Sequence, residues 1–199
     1  AVVGVDVRIA HTVGFALDVV RPEPPDECFQ CAGPLVRSFP HDRDGFTQGL
    51  LWHEGHLWES TGQYGSSELR KVELDTGEVV ERAPVGPGYF AEGLARVGDR
   101  MYQLTWKKGT VFVWNPEDLS APVSRFSYDG EGWGLCFDGE RLVMSDGSDT
   151  LTFRDPKTFA EIGRAQVTMW DRPVRGLNEL ECVDGQVYAN VWTSEVLLR

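Results

Sequence analysis

The sequence predicts an all-β fold built from repeated sheets, and three observations carry that prediction. Turn dipeptides recur at Thr76-Gly77, Gly98-Asp99, Asp129-Gly130, Asp138-Gly139, Asp146-Gly147 and Asp184-Gly185, a spacing that suits many short antiparallel strands. A hydrophobic frame returns four times, as Gln48-Gly49-Leu50, Glu92-Gly93-Leu94, Trp133-Gly134-Leu135 and Asn178-Glu179-Leu180. Seven residues past each anchor leucine comes an apolar residue, Leu57, Met101, Leu142 or Val187, that begins a second strand.

The elements follow in order within each unit. The frame is the first strand, and the turns HEGH, VGDR, DGER and VDGQ lead into the second. A third apolar segment follows, such as Val111 to Trp114 and Leu151 to Phe153, then further turns at Asn115 and Asp155. Four strands in about 43 residues is the size of a β-propeller blade. Residues 38–199 are therefore read as a propeller domain anchored at Leu50, Leu94, Leu135 and Leu180, and residues 1–37 as an N-terminal extension outside the repeats. The fourth unit stops in its second strand at Leu198-Arg199, so the chain is expected to be C-terminally incomplete, since an open sheet edge leaves unpaired backbone groups. The strand-like Pro34 to Phe39 is expected to close the ring by pairing with the last blade.

Composition narrows the function classes. With 199 residues, 41% of them hydrophobic, the chain can bury a full core. A net charge of −12 repels a phosphate backbone, which speaks against nucleic-acid binding. The apolar N-terminal window, Ala1 to Val20, is interrupted by Asp6, Arg8, His11 and Asp18, so it is neither a membrane span nor a clean signal-peptide core. Cys28-x-x-Cys31 is a single CxxC without a partner pair, weak for zinc, and reads as a local disulfide or free thiols. Cys136 and Cys182 occupy similar places in two repeats and read as small buried side chains.

The innermost strand of each blade starts at one mouth of the central channel. The positions two before the anchors, Gln48, Glu92, Trp133 and Asn178, should therefore converge there. A second ring twelve residues past the anchors comprises Gly62, Trp106, Gly147 and Trp192, and Phe46 and Phe90 lie four before theirs. Taken singly, strand aromatics are usually core and a glutamate at a strand start is usually solvated. It is the shared register that singles out Glu92, a carboxyl whose aromatic surround should raise its pKa and suit it to proton transfer. His53 and His56 have a metal-like spacing but flank a turn, and Ser145 to Asp149 is explained by a tight turn.

The chain resembles the plant-type and bacterial glutaminyl cyclases. The motifs that carry the resemblance are PHDRDGFTQGL (Pro40 to Leu50), STGQYGSSELRKVEL (Ser60 to Leu74), FAEGL (Phe90 to Leu94), LTWK (Leu104 to Lys107), EGWGL (Glu131 to Leu135), SDGS (Ser145 to Ser148), LNELE (Leu177 to Glu181) and NVW (Asn190 to Trp192). The resemblance implies a five-bladed propeller that converts an N-terminal glutamine to pyroglutamate with loss of ammonia. It places the catalytic glutamate on Glu92, polar substrate contacts on Gln48 and Asn178, and aromatic walls on Phe46, Phe90, Trp106, Trp133 and Trp192. It implies no catalytic metal or cofactor, leaves room for a structural calcium, and points to a secreted or periplasmic monomer acting on peptides or proteins with N-terminal glutamine. A further lysine of the family's site falls beyond this sequence. Lys107 is adjacent to Trp106, but strand alternation turns it the other way. Two other readings stand beside the cyclase. One is a non-catalytic propeller that binds peptides at the same mouth. The other is a calcium-dependent, lactonase-like propeller, which wants several acidic ligands where the four ring positions offer only Glu92.

Overall fold

The computed structural model describes residues 37–199, with the backbone of two short strands, Asp6–Val7 and Ala16–Asp18. In the described residues the repeat becomes four antiparallel meanders whose strand order is chain order. Blade I comprises Thr47–His53, His56–Thr61, Glu68–Val72 and Val79–Pro84. Blade II comprises Ala91–Val97, Arg100–Thr105, Thr110–Trp114 and Ser124–Ser127. Blade III comprises Leu135–Phe137, Leu142–Met144, Thr150–Arg154 and Glu161–Gln166. Blade IV contains Leu177–Val183, Gln186–Val191 and Leu197–Leu198. The first hairpin has one register throughout, with Trp52 opposite Leu57, Arg96 opposite Met101, Phe137 opposite Leu142 and Cys182 opposite Val187. That equivalence is why the sequence repeat was visible at all. No described helix is long and apolar enough to cross a membrane.

The first strands of successive blades pack side by side, and the four anchor leucines are buried. Between blades the core alternates from one sheet face to the next. Trp58, Leu69, Leu94 and Phe112 lie between blades I and II, then Leu104, Leu135, Leu142 and Phe159 between II and III. Val143, Leu177, Leu180 and Ala189 fill the gap between III and IV. Each such side chain contributes roughly 1.5–3 kcal/mol by leaving water.

The frame glycines explain how the inner strands approach so closely. A Cβ on Gly49 would lie 2.7 Å from the Leu94 nitrogen, one on Gly93 would lie 2.5 Å from the Leu135 nitrogen, and one on Gly134 would lie 2.7 Å from the Leu180 nitrogen. Glycine at each of these places lets one backbone lie against the next anchor leucine.

Three expectations are corrected. The fourth unit does not stop in its second strand: Leu197–Leu198 is a third strand, paired with Ala189 and Asn190. Cys136 and Cys182 are not free buried thiols but a disulfide, with Cα atoms 5.5 Å apart, joining the inner strands of blades III and IV. Convergence of those strands brings together two residues 46 apart in sequence. Arg37–Ser38 pairs with Ala16–Leu17, in a sheet with Asp6–Val7, rather than with blade IV. Cys28 and Cys31, and Pro34 to Val36, lie outside the described residues. A small hairpin, Thr168–Met169 with Arg172–Pro173, also interrupts the repeat between blades III and IV, and the repeat did not predict it.

The segment leading into blade I is tied to that blade by buried charge. His41 Nε2 lies 2.9 Å from Glu59 Oε1, and Arg70 Nη1 donates to Asp42 Oδ2 at 3.0 Å. Thr47 Oγ1 also donates to Glu59. These contacts set the direction in which Phe46 enters the channel mouth.

Candidate active site

Three of the four residues two before the anchors sit at irregularities in the inner strands, and Trp133 precedes its strand. Strand pairing shifts register between Thr47 and Gly49, between Ala91 and Leu94, and between Leu177 and Leu180. A bulge of this kind leaves a residue out of the ladder and re-aims its side chain. Gln48, Glu92 and Asn178 occupy these bulges. In three blades the N–H twelve past the anchor donates to the carbonyl four before it: Gly62 to Phe46 at 2.8 Å, Trp106 to Phe90 at 2.9 Å and Trp192 to Gly176 at 2.7 Å. The second predicted ring is thereby laced to the residues four before the anchors.

At the centre, Gln48 Nε2 donates to Glu92 Oε2 at 2.5 Å. Glu92 is 5% exposed. Burial pushes its carboxyl well above the ordinary value of 4.5, the Gln48 hydrogen bond pulls it back, and the charge of Glu131 pushes it up again.

Aromatic rings form an arc around this pair. Phe46 meets Phe90 edge-on at 6.0 Å, and Phe90 meets Trp106 at 5.7 Å. On the far side Trp133 meets Trp192 at 5.6 Å. The gap between Trp106 and Trp133 is bridged by Glu131, whose Oε2 accepts from the first indole at 2.7 Å and the second at 3.0 Å. The alternation of glycine and tryptophan in the second ring is a packing rule. A Cβ on Gly62 would lie 2.3 Å from Phe90 Cε1, and one on Gly147 would lie 2.7 Å from the Trp133 ring. Glycine stands where a neighbouring ring takes the space.

A buried carboxyl bonded to a half-buried amide, beside aromatic rings set in register across blades, is the arrangement to compare with known proteins. The model of the glutamine cyclotransferase family matches residues 15–199. The chain belongs to that family. It is 43% identical over 166 residues to a glutaminyl-peptide cyclotransferase of Arabidopsis thaliana, covering 83% of this chain and 52% of the relative, so it spans about half that relative's length. Among solved structures, the glutaminyl cyclase of Myxococcus xanthus superposes with a TM-score of 0.76 at 44% identity, over 82% of this chain and 68% of that one. The WD40 repeats of RRP9 superpose at a TM-score of 0.52 and 11% identity, over 79% and 52% of the two chains, a likeness of fold alone.

In this chain the sequence-selected residues are not equally joined. Gln48 and Glu92 touch, and Phe46, Phe90 and Trp106 form one run, with Trp133 and Trp192 a second. Asn178 holds its bulge through its backbone, its carbonyl accepting from Ser145 Oγ at 2.6 Å. Lys107 corrects the strand-alternation argument. The second strand of blade II ends at Thr105, so Trp106 and Lys107 lie in a turn. Lys107 folds back with Nζ 3.8 Å from the Trp106 ring centre and 3.7 Å from Glu131 Oε1.

Three residues escaped the reading of the family's repeat. Glu131 lies four before Leu135, where the first two units carry Phe46 and Phe90, and that break in an aromatic position was its signal. Tyr64, from the GQYG turn, meets Phe90 at 5.6 Å. Glu179 stands where the other three frames carry glycine. Its carboxyl is enclosed; burial and the charges of Glu181 and Glu92 push it well above 4.5, backbone N–H groups of Leu50 and Leu180 pull it back, and Oε2 has no hydrogen-bond partner among the described residues. The signal for Glu179 was present, as the one break in an otherwise constant glycine.

Proposed function

We propose that the protein is a glutaminyl-peptide cyclotransferase, closing the N-terminal glutamine of a peptide or protein into pyroglutamate with release of ammonia. In this reaction the α-nitrogen attacks the side-chain amide carbon, a tetrahedral intermediate forms, and the amide C–N bond breaks. Nucleophile and electrophile share one residue. The protein therefore has to hold a curled conformer and move protons.

Glu92 takes the proton that the attacking nitrogen loses and gives one to the departing nitrogen, so it ends as it began. Its raised pKa suits an amine whose reference value is about 7.7–8.0. Gln48, with its Nε2 committed to Glu92, orients that carboxylate and presents its amide oxygen to the substrate. Asn178 supplies a second polar contact. Phe46, Phe90, Trp106, Trp133 and Trp192 exclude water and shape the curled side chain.

The observation that carries the reading is the buried Glu92, hydrogen-bonded to its counterpart in the preceding blade within an aromatic arc. The names of the Arabidopsis and Myxococcus relatives support it. The reading also places the protein in a secretory or periplasmic compartment, and the Cys136–Cys182 disulfide supports an oxidising one.

The test is ammonia release from a glutamine-initiated peptide by the full-length protein, with and without chelator. Wild type should release ammonia as the free amine disappears, chelator should leave the rate unchanged, and Glu92→Gln should lower kcat by roughly 10²–10⁴-fold. Absence of release by wild type, or equal rates for the two proteins, overturns the reading, and loss on chelation replaces it with a metal-dependent one.

A further inference from the structure

Glu131 takes in blade III the place, four before the anchor, that Phe46 and Phe90 hold in blades I and II, and it is the point at which the two halves of the aromatic arc meet. Its Oε2 accepts from Trp106 at 2.7 Å and Trp133 at 3.0 Å, while Oε1 faces Lys107 Nζ at 3.7 Å. The segment that carries it is pinned on both sides. Gly132 N–H donates to the Trp106 carbonyl at 2.9 Å, and Trp133 N–H donates to the Ser145 carbonyl at 3.0 Å. The carboxylate is thus a fixed post rather than a swinging surface group. An indole offers one N–H, and directing it at an ionised oxygen sets the rotation of the whole ring.

We propose that Glu131 is a positioning residue for the cyclisation: by holding the indoles of Trp106 and Trp133 on one oxygen, it sets the width and shape of the slot in which the N-terminal glutamine curls. This rests on the cyclase reading of the site. Trp106 closes blade II's side of the slot and Trp133 opens blade III's, so no single blade determines the width. The carboxylate joins them, and the slot's fit to a glutamine side chain depends on that joint.

Glu131 acts on the chemistry through its charge as well. The groups that face Glu92 are Gln48 on blade I, Tyr128 and Glu131 in the segments before blade III, and Glu179 on blade IV. Lys107 faces Glu131 from the turn after Thr105 and partly offsets it. A negative Glu131 disfavours ionisation of Glu92. Because Glu92 must be ionised to accept a proton, kcat rises with pH through its titration, and removing the Glu131 charge moves that rise to lower pH.

The experiment compares wild type, Glu131→Gln and Glu131→Ala in the full-length protein. The readouts are KM and kcat against pH for a glutamine-initiated peptide, and the indole N–H resonances of Trp106 and Trp133 by NMR. Glu131→Gln keeps an oxygen that can accept both indoles and loses the charge. It should keep KM within about threefold while the acidic limb of kcat moves down by about half a pH unit or more. Glu131→Ala loses both, and should raise KM by about tenfold or more, shift the limb likewise, and move both indole resonances upfield. A wild-type KM with unmoved indole resonances in Glu131→Ala overturns the proposal, as does an unmoved limb in both variants. Unchanged resonances from the other tryptophans separate loss of this joint from loss of fold. Should wild type release no ammonia, the cyclase reading fails on that result, and unmoved indole resonances in Glu131→Ala would separately overturn the joint.

Discussion

Gln48 and Glu92 hold the same place in consecutive blades, 44 residues apart, and the amide of one donates to the carboxylate of the other at 2.5 Å. Neither inner strand alone makes a site. Bulges at Thr47/Gly49 and Ala91/Leu94 turn the two side chains out of their ladders and toward each other. The pair balances two opposing effects on one proton: burial favours the neutral acid, and the Gln48 N–H favours the anion.

Removing the donor should tip that balance. In Gln48→Leu the carboxyl keeps its burial and loses the group that stabilises its charge, so Glu92 should titrate at a higher pH than in wild type. The acidic limb of kcat should move to higher pH, opposite to the shift from loss of Glu131. A limb that stays put or moves down would show that the contact does not govern the proton.

Stability should carry the same signature with its own sign. The folded carboxyl of Glu92 lies above its ordinary value of 4.5, so the folded state holds this proton after the unfolded chain has released it. The contribution of Glu92 to stability is therefore whole below 4.5 and declines as pH rises through the folded pKa. Glu92→Gln has no such titration. Its melting temperature, relative to wild type, should climb from mildly acidic to mildly alkaline pH, and a constant difference would contradict the burial argument.

Two glycines should respond differently to an added methyl group. In Gly134→Ala the new Cβ meets backbone, 2.1 Å from the Asn178 carbonyl oxygen, and the blade III–IV apposition has to open. In Gly62→Ala it meets the Phe90 ring at 2.3 Å, and a ring can turn. Both should cost about 1–3 kcal/mol by denaturant unfolding, Gly134→Ala the more. Gly62→Ala should be the one whose KM rises most for its loss of stability, since Phe90 is one of the proposed walls of the site.

The disulfide should be a tie between blades rather than part of the chemistry. Replacing both Cys136 and Cys182 with Ala frees a loop of 46 residues' separation and should cost about 2–4 kcal/mol of unfolding free energy. KM for a glutamine-initiated peptide should be unchanged where the variant is folded. Using the double variant rather than a reductant keeps Cys28 and Cys31 out of the comparison.

Much of this molecule could be read from spacing. A blade is a local object, four short strands joined by tight turns, so its strand order and hairpin register are written within some forty residues and repeated. Positions that every blade uses alike, such as the anchor leucines and most frame glycines, declare themselves by constancy. Gln48 and Glu92 declare themselves by differing within that constancy, and the same rule applied one position later picks out Glu179.

What repetition could not reveal are the contacts between blades. The Cys136–Cys182 bond, whose partners lie one and two past their anchors, the Glu131 joint between two indoles and the approach of Lys107 to Glu131 join residues at different repeat positions. The bulges at Gln48, Glu92 and Asn178 are equally hard to see, because in strands this short the extra residue does not stand out from the alternation it interrupts. Sequence periodicity reports which face of a strand is buried. Where two buried faces meet, and which polar atoms are then close enough to share a proton, depends on how the blades pack around their common axis, and only the tertiary structure decided that.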